Sequence, residues 1–309
     1  MDIHQLLKNK LKISMRTKNI YFLITLLIVI CSAKAQQDPS YILYRYNMNF
    51  VNPAYAGAEE KTEFGVNLRS QWSEVQGAPE TQSFMGSTYM GGNVGLGVSV
   101  INDKTFIETQ TSVAIDFSYK IQWDNYTNIY FGLKVSGNSY NANTDGLLTY
   151  GIQSDPSLMN IDGGITPNVG TGVYFRNRKL SVSLSVPKIL KPKRLEQDGG
   201  LAKLGRNKLH SYLMAAYDYN INERLILKPS SMLRYVEGSP LSVDLTLAMN
   251  YNESFEFGSG YRLDEGFSGF IVLDLANSMH IGYAYEASLN STLANSNNGT
   301  HEVFLKFEL

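Results

Sequence analysis

The chain has 309 residues, with 27 Lys and Arg against 28 Asp and Glu, and a single cysteine. That balance excludes nucleic-acid binding driven by electrostatics, and one cysteine excludes a disulfide framework or a cysteine-type zinc site. Twenty tyrosines suit the two rims of a membrane barrel, because the ring is apolar and its tip polar.

Residues 1–35 read as a secretory signal peptide. Lys8, Lys10, Lys12, Arg16 and Lys18 form a basic start, and Met15 could equally serve as the initiator. An apolar run, broken only by Thr25, then extends from residue 20 to residue 30, and Ala33-Lys34-Ala35 is a small-x-small cleavage site. The run is too short to span a bilayer comfortably, which takes about 20 residues. Cys31 follows Ile30, where a lipoprotein signal wants a small residue. Cleavage after Ala35 removes the only cysteine and leaves 21 basic against 27 acidic groups, a formal charge of −6.

Residues 36–60 show no alternation. They are aromatic and rich in Asn, and are expected to form a periplasmic segment or a plug in the barrel mouth. Asn52-Pro53-Ala54-Tyr55-Ala56-Gly57 precedes the first strand and need not serve strand pairing. It is a candidate contact for other proteins, with a plug or a simple turn as the plainer reading, since Asn-Pro and Ala-Gly are turn signals.

From residue 61 onward the pattern is period 2. Val113, Ile115, Phe117, Tyr119 and Ile121 alternate with Asp116, Ser118 and Lys120. Leu180, Val182, Leu184 and Val186 alternate with serines, and Leu241 to Tyr251 repeats the pattern. About fourteen such segments begin near Lys61, Thr81, Asn93, Gln110, Asn128, Asn168, Lys179, Lys208, Arg224, Ser239, Ser254, Gly266, Ser278 and Thr300. Most are long enough for a tilted membrane strand. The predicted fold is an all-β, antiparallel, up-and-down transmembrane β-barrel over residues 61–309.

Connection lengths sort by parity. Those after even strands are short and polar, among them Gly91-Gly92, Asp124-Asn125, Asn177-Arg178 and Asn277-Ser278. The odd ones include residues 141–166, 188–207 and 289–299. Short periplasmic turns and longer outer loops belong to an outer-membrane barrel; a soluble β-sandwich has no reason to sort loops this way. The loops near Glu237 and Asp264 are short exceptions. Lys120, Lys134, Asp116, Asp244, Glu256, Arg262, Lys228, Arg234 and Glu286 fall opposite the apolar phase. A wet lumen accepts them, whereas lipid would charge about 2–4 kcal/mol for each Lys or Arg near the midplane. Pro229 removes a ladder donor and predicts a bend or a rim position.

The last strand alternates to the end, with Val303, Leu305, Phe307 and Leu309 on one face. It is expected to face lipid and to close the barrel against the strand near Lys61.

Chemistry has little support. His210, His280 and His301 lie far apart in sequence, which argues against a metal cluster and shows no nucleophile–base spacing. Gly91-Gly92 with Gly95-x-Gly97 resembles a fragment of a phosphate loop, but no helix follows. Glycines there more often permit bends and close packing. Arg69, Trp72 and Pro79 are candidates for a recognition rim around the first outer loop, with Trp72 alternatively an interfacial anchor.

An ordered set of motifs resembles the PorP/SprF family of Bacteroidetes outer-membrane proteins, associated with type IX secretion and gliding. It runs from Gln37-Asp38-Pro39 and the Asn52 to Gly57 stretch through Arg69-Ser70-Gln71-Trp72, then Gly77-Ala78-Pro79-Glu80-Thr81-Gln82 and Gly95-Leu96-Gly97. Later come Pro229-Ser230, Arg234-Tyr235, Tyr261-Arg262, Ile281-Gly282-Tyr283-Ala284-Tyr285 and Gly299-Thr300-His301-Glu302. The sequence departs from the family at Ala58 and Thr300, where Ser is usual, and at Met48-Asn49-Phe50, where an Asn-Pro is usual. The resemblance implies a non-enzymatic barrel without cofactors. Its partners would be secretion-system components, membrane lipid and a secreted, often adhesin-like client. A passive porin or hydrophobic-solute channel is the alternative.

Overall fold

Period-2 alternation becomes a closed antiparallel wall. The computed structural model describes residues 39–144, 160–191, 193–198, 201–206, 208–275, 278–289 and 298–309. The signal stretch 1–35, Asn277, and most of the 289–299 loop lie outside the described residues.

The strands in chain order are β1 (Glu63–Ser70), β2 (Glu80–Gly91), β3 (Val94–Thr105), β4 (Glu108–Gln122), β5 (Asn128–Ala142), β6 (Ile161–Arg176) and β7 (Leu180–Val186). A separate hairpin of β8 (Lys193–Asp198) and β9 (Leu201–Arg206) follows. Then come β10 (His210–Tyr217), β11 (Tyr219–Asn222), β12 (Leu225–Val236), β13 (Ser242–Tyr251), β14 (Phe255–Arg262), β15 (Gly266–Leu275), β16 (Met279–Ser288) and β17 (Thr300–Glu308). Each barrel strand pairs with its sequence neighbours. β10 bonds to both β7 and β12, and β17 bonds to β1, so no edge is left open. Taking β10 and β11 as one strand interrupted at Asp218, the wall has fourteen strands. Closure is what a bilayer demands, since hydrocarbon offers backbone N–H and C=O groups no other partner.

The two faces differ as the alternation requires. Ile115 is 61% exposed and its neighbour Asp116 is 1% exposed. Val113, Phe117, Leu133, Val135, Leu245, Leu247 and Ile271 are likewise exposed apolar side chains, forming an outer surface matched to lipid. Inside, the charges pair. Lys134 meets Asp116 at 3.0 Å, Lys228 meets Glu256 at 2.5 Å, Arg262 bridges Asp244 and Glu286, and Lys306 meets Glu63. Unpaired, each would bear the cost of a buried charge.

Tight turns form where the backbone can take positive φ. Gly91, Gly92 and Asn93 do so between β2 and β3, as do Asn252 and Glu253 between β13 and β14. Such residues match the twist of short hairpins. On the opposite end, β3 and β4 are joined tightly through Phe106 and Ile107, a further exception to the long-loop pattern beside Glu237 and Asp264.

Two segments differ from the sequence expectation. β6 begins at Ile161 rather than near Asn168, and β5 continues to Ala142, so the expected 141–166 loop is shorter. The extension carries Gly163, Gly164 and Pro167 and a register shift between Ser139 and Asn141. Only Ile165 marks the outer face here, and the register shift breaks the alternation, so period 2 gives a weak sign of it. The 188–207 loop carries the β8–β9 hairpin. Pro229 sits beside the interruption at Asp218: Leu227 pairs with Tyr219 and Ser230 with Ala216. The missing proline N–H coincides with a gap in the ladder.

Candidate functional site: a lumenal segment and its small-residue ledge

Residues 41–58 lie among the inward-facing side chains of the wall. The stretch folds as a turn, a short helix α1 (Met48–Val51) and a 3-10 turn (Pro53–Tyr55). Asn52 caps that turn, its side-chain oxygen accepting from Ala54 N at 2.9 Å, and Pro53 presets the first φ.

The segment bridges two walls. On one side, the Glu302 carboxylate accepts from the backbone N–H groups of Ile42 (2.7 Å) and Leu43 (3.2 Å) and from Asn67 Nδ2 (2.9 Å). Ile42 and Leu43 pack in a cluster with Ala248, Phe270, Val272, Ala284 and Phe304. Arg45 reaches Asp218 at 2.8 Å, and the Tyr44 hydroxyl bonds to Ser230. On the other side, Asn52 Nδ2 donates to Ser183 Oγ (2.7 Å) and to the Val173 carbonyl (3.1 Å). Ser118 Oγ donates to the Ala56 carbonyl, and Gly57 N donates to Ser87 Oγ.

The second wall is shaped for this backbone. Register aligns Gly95 with Ser118, Ser118 with Gly132, Gly132 with Gly172, and Gly172 with Ser185. The result is a row of small residues across β3, β4, β5, β6 and β7. Residues 52–57 run along it. A Cβ on Gly132 would lie 2.1 Å from Ala54 N, one on Gly95 2.0 Å from the Ala56 carbonyl oxygen, and one on Gly172 2.0 Å from Asn52 Oδ1. No side chain fits at these positions while the segment is seated. Gly57 has φ +68°, and a Cβ there would meet the Thr88 carbonyl at 2.7 Å.

Tyr55 packs on Tyr174, with ring centroids 5.2 Å apart, and its hydroxyl donates to Glu59. Burial alone would raise the Glu59 carboxyl, but Arg176 at 2.7 Å outweighs it and holds the pKa below the ordinary value. Glu60 pairs with Lys120 at 2.7 Å. The end of the segment is therefore tied to the wall by two ion pairs as it enters β1.

Asn52, Pro53, Ala54, Tyr55 and Gly57 thus sit together in the lumen. Arg69 does not join Trp72 and Pro79 in a rim: it is 3% exposed on the inner face of β1. Trp72 and Pro79 lie in the β1–β2 loop, where Gln71 N donates to the Pro79 carbonyl and Val75 N to that of Trp72. Val303, Leu305 and Phe307 lie on the outer face of β17, and the Leu309 backbone exchanges hydrogen bonds with Thr62. His280 sits between Asp274 and Glu308, and His301 Nδ1 bonds to the Tyr283 hydroxyl. Among the described residues no group of three His, Cys, Asp or Glu is placed to hold a metal ion. Sequence reasoning missed the ledge, although Gly95-x-Gly97 had signalled close packing.

A closed antiparallel wall with an apolar exterior and a paired-charge interior defines an outer-membrane β-barrel. Similar folds occur in the Ralstonia pickettii toluene transporter TbuX (TM-score 0.50, 11% identity, 83% of this chain and 91% of that one). They also occur in the CymD monoaromatic hydrocarbon channel (0.47, 11%, 84% and 90%) and the NanC porin (0.41, 9%, 80% and 100%). At such identities the likeness is one of fold. The chain belongs to the PorP/SprF family of type IX secretion system membrane proteins, which it matches over residues 33–307. No curated protein sequence matches it significantly.

Proposed function

We propose that this protein is a non-enzymatic outer-membrane barrel that assists type IX secretion, or the surface attachment, of a cognate adhesin-like protein, with a link to gliding motility. Residues 1–35 act as a cleaved signal peptide, residues 36–60 as a plug, and residues 61–309 as the barrel. The observation that carries this reading, given the family, is the segment bonded to both walls of the lumen. Residues 41–58, bonded to both walls, narrow any passage through the lumen, which weighs against a passive porin or hydrophobic-solute channel. The partners are secretion-system components, membrane lipid and the client. Asn52 to Gly57 contacts other components only after leaving its ledge, whereas Trp72 and Pro79 in the β1–β2 loop are accessible to a client.

Deleting the gene tests the proposal. One large protein should vanish from the cell surface and accumulate inside the cell or in the medium, while other surface proteins keep their levels. An unchanged surface inventory would contradict it.

A further inference from the structure

The apolar outer face of β4 ends in aromatic residues on the short-turn side of the barrel. Phe117, Tyr119 and Ile121 are exposed on that face, and Trp123 follows them on the same parity, also exposed. Trp123 N donates to the Thr127 carbonyl, and the Asp124 carboxylate accepts from Tyr126 N. The β4–β5 turn is thus fixed by its own bonds, with the exposed Tyr126 at its tip. Aromatic side chains of this kind collect where hydrocarbon gives way to lipid headgroups. Short turns mark the periplasmic end of such a barrel.

The neighbouring turn brings a cation to the same place. Asn128 pairs with Arg176, so the turn after β6 lies beside the turn before β5. Arg178 in that turn holds its guanidinium carbon 3.4 Å from the centroid of the Tyr126 ring. That is stacking contact, and stacking occupies a face of the guanidinium while leaving its N–H edge open. The Asn177 side-chain oxygen accepts from Lys179 N and Leu180 N, which fixes the backbone around Arg178. Other cations at this end have carboxylates: Lys61 meets Glu308, Lys120 meets Glu60 and Arg176 meets Glu59. Among the described residues no carboxylate pairs with Arg178. An uncompensated guanidinium held flat at headgroup height presents a planar fork of donors, which matches a phosphate in two parallel bonds.

We propose that Arg178, seated on the Tyr126 ring, binds the phosphodiester of an anionic phospholipid in the periplasmic leaflet, with Trp123 of the same turn at the interface. The site rests on the outer-membrane barrel fold and not on the secretion role, so its failure leaves that role standing.

The chain has two tryptophans, so Trp72→Phe leaves Trp123 as the sole reporter beside the site. The full-length barrel in this background is reconstituted into vesicles of phosphatidylcholine containing a rising fraction of brominated phosphatidylglycerol, whose bromines quench tryptophan on contact. Brominated phosphatidylcholine is the zwitterionic reference. Quenching of Trp123 should show a preference for phosphatidylglycerol of about fivefold or more, the scale of one cation beside an anionic headgroup. Arg178→Gln should remove most of that preference. Tyr126→Leu, which keeps every charge, should also lower it, and decides the matter if Arg178→Gln fails to fold. Lys179→Gln removes the same charge one residue on and should leave most of the preference. Exchanging chloride for inorganic phosphate at constant ionic strength should not change it. No preference in the Trp72→Phe parent, equal losses in Lys179→Gln and Arg178→Gln, an undiminished preference in Tyr126→Leu, or its loss in inorganic phosphate would overturn the site.

Discussion

Removing Phe307 to Leu309 should abolish assembly of the barrel. These residues close the wall. Phe307 and Glu308 pair with Phe64 and Glu63 on β1, and Phe307 pairs with Met279 on β16. Leu309 exchanges backbone hydrogen bonds with Thr62, and Glu308 N donates to the Ser278 carbonyl. The Glu308 carboxylate also ties Lys61, His280 and Lys306 together. Without the tripeptide, backbone groups of β1 and β16 lose their partners where the strands must seal, and each such group in an apolar setting costs several kcal/mol. The folded, heat-modifiable band in outer-membrane fractions should fall to background. A full-strength folded band in the truncated protein would contradict closure by β17. Replacing Val303 by Lys, near the middle of the strand on its outer face, should cost about 2–4 kcal/mol through lipid exposure of charge. That change should lower the band without removing it.

Gly132→Val should unseat the lumenal segment and leave the wall intact. The added Cβ would fall 2.1 Å from Ala54 N, against backbone that has no rotamer to yield. A β-branched residue otherwise suits a strand, so β4, β5 and β6 keep their pairing. Overpacking of this kind costs about 1–3 kcal/mol, and here the cheapest relief is movement of the segment rather than of the sheet. Cleavage of residues 39–60 by added protease should accelerate about tenfold or more, while the heat-modifiable band persists. Gly269→Ala is the matched control, because nothing lies within 4 Å of its Cβ position, and its cleavage rate should equal that of the wild type. Equal protection in Gly132→Val and wild type would show that the ledge does not hold the segment.

The strand pattern was legible because the bilayer and the lumen impose opposite demands on successive side chains. Asp116 between Ile115 and Phe117 tells its own orientation. The start of β6 was not legible, since the register shift and the Gly163-Gly164 pair break the alternation over residues 161–167. Arg69 shares parity with Asn67 on β1 and lies opposite Phe64, Val66 and Leu68; that parity was the available signal of a lumenal position. The turn chemistry of Asn52-Pro53 and Ala56-Gly57 could be read locally. Its destination could not, because Gly95, Gly132 and Gly172 sit on three strands and become neighbours only through register. Glu302 likewise reads as one more polar-phase residue until Ile42 and Leu43 are brought to it.

Single-channel conductance of the purified protein in a planar bilayer tests the central claim, that the lumen is closed by the chain's own segment. The wild-type barrel should show no steady open state, and a variant lacking residues 41–58 should conduct. A wild-type protein that holds a steady open conductance, unchanged by that deletion, would contradict the account and favour a passive porin.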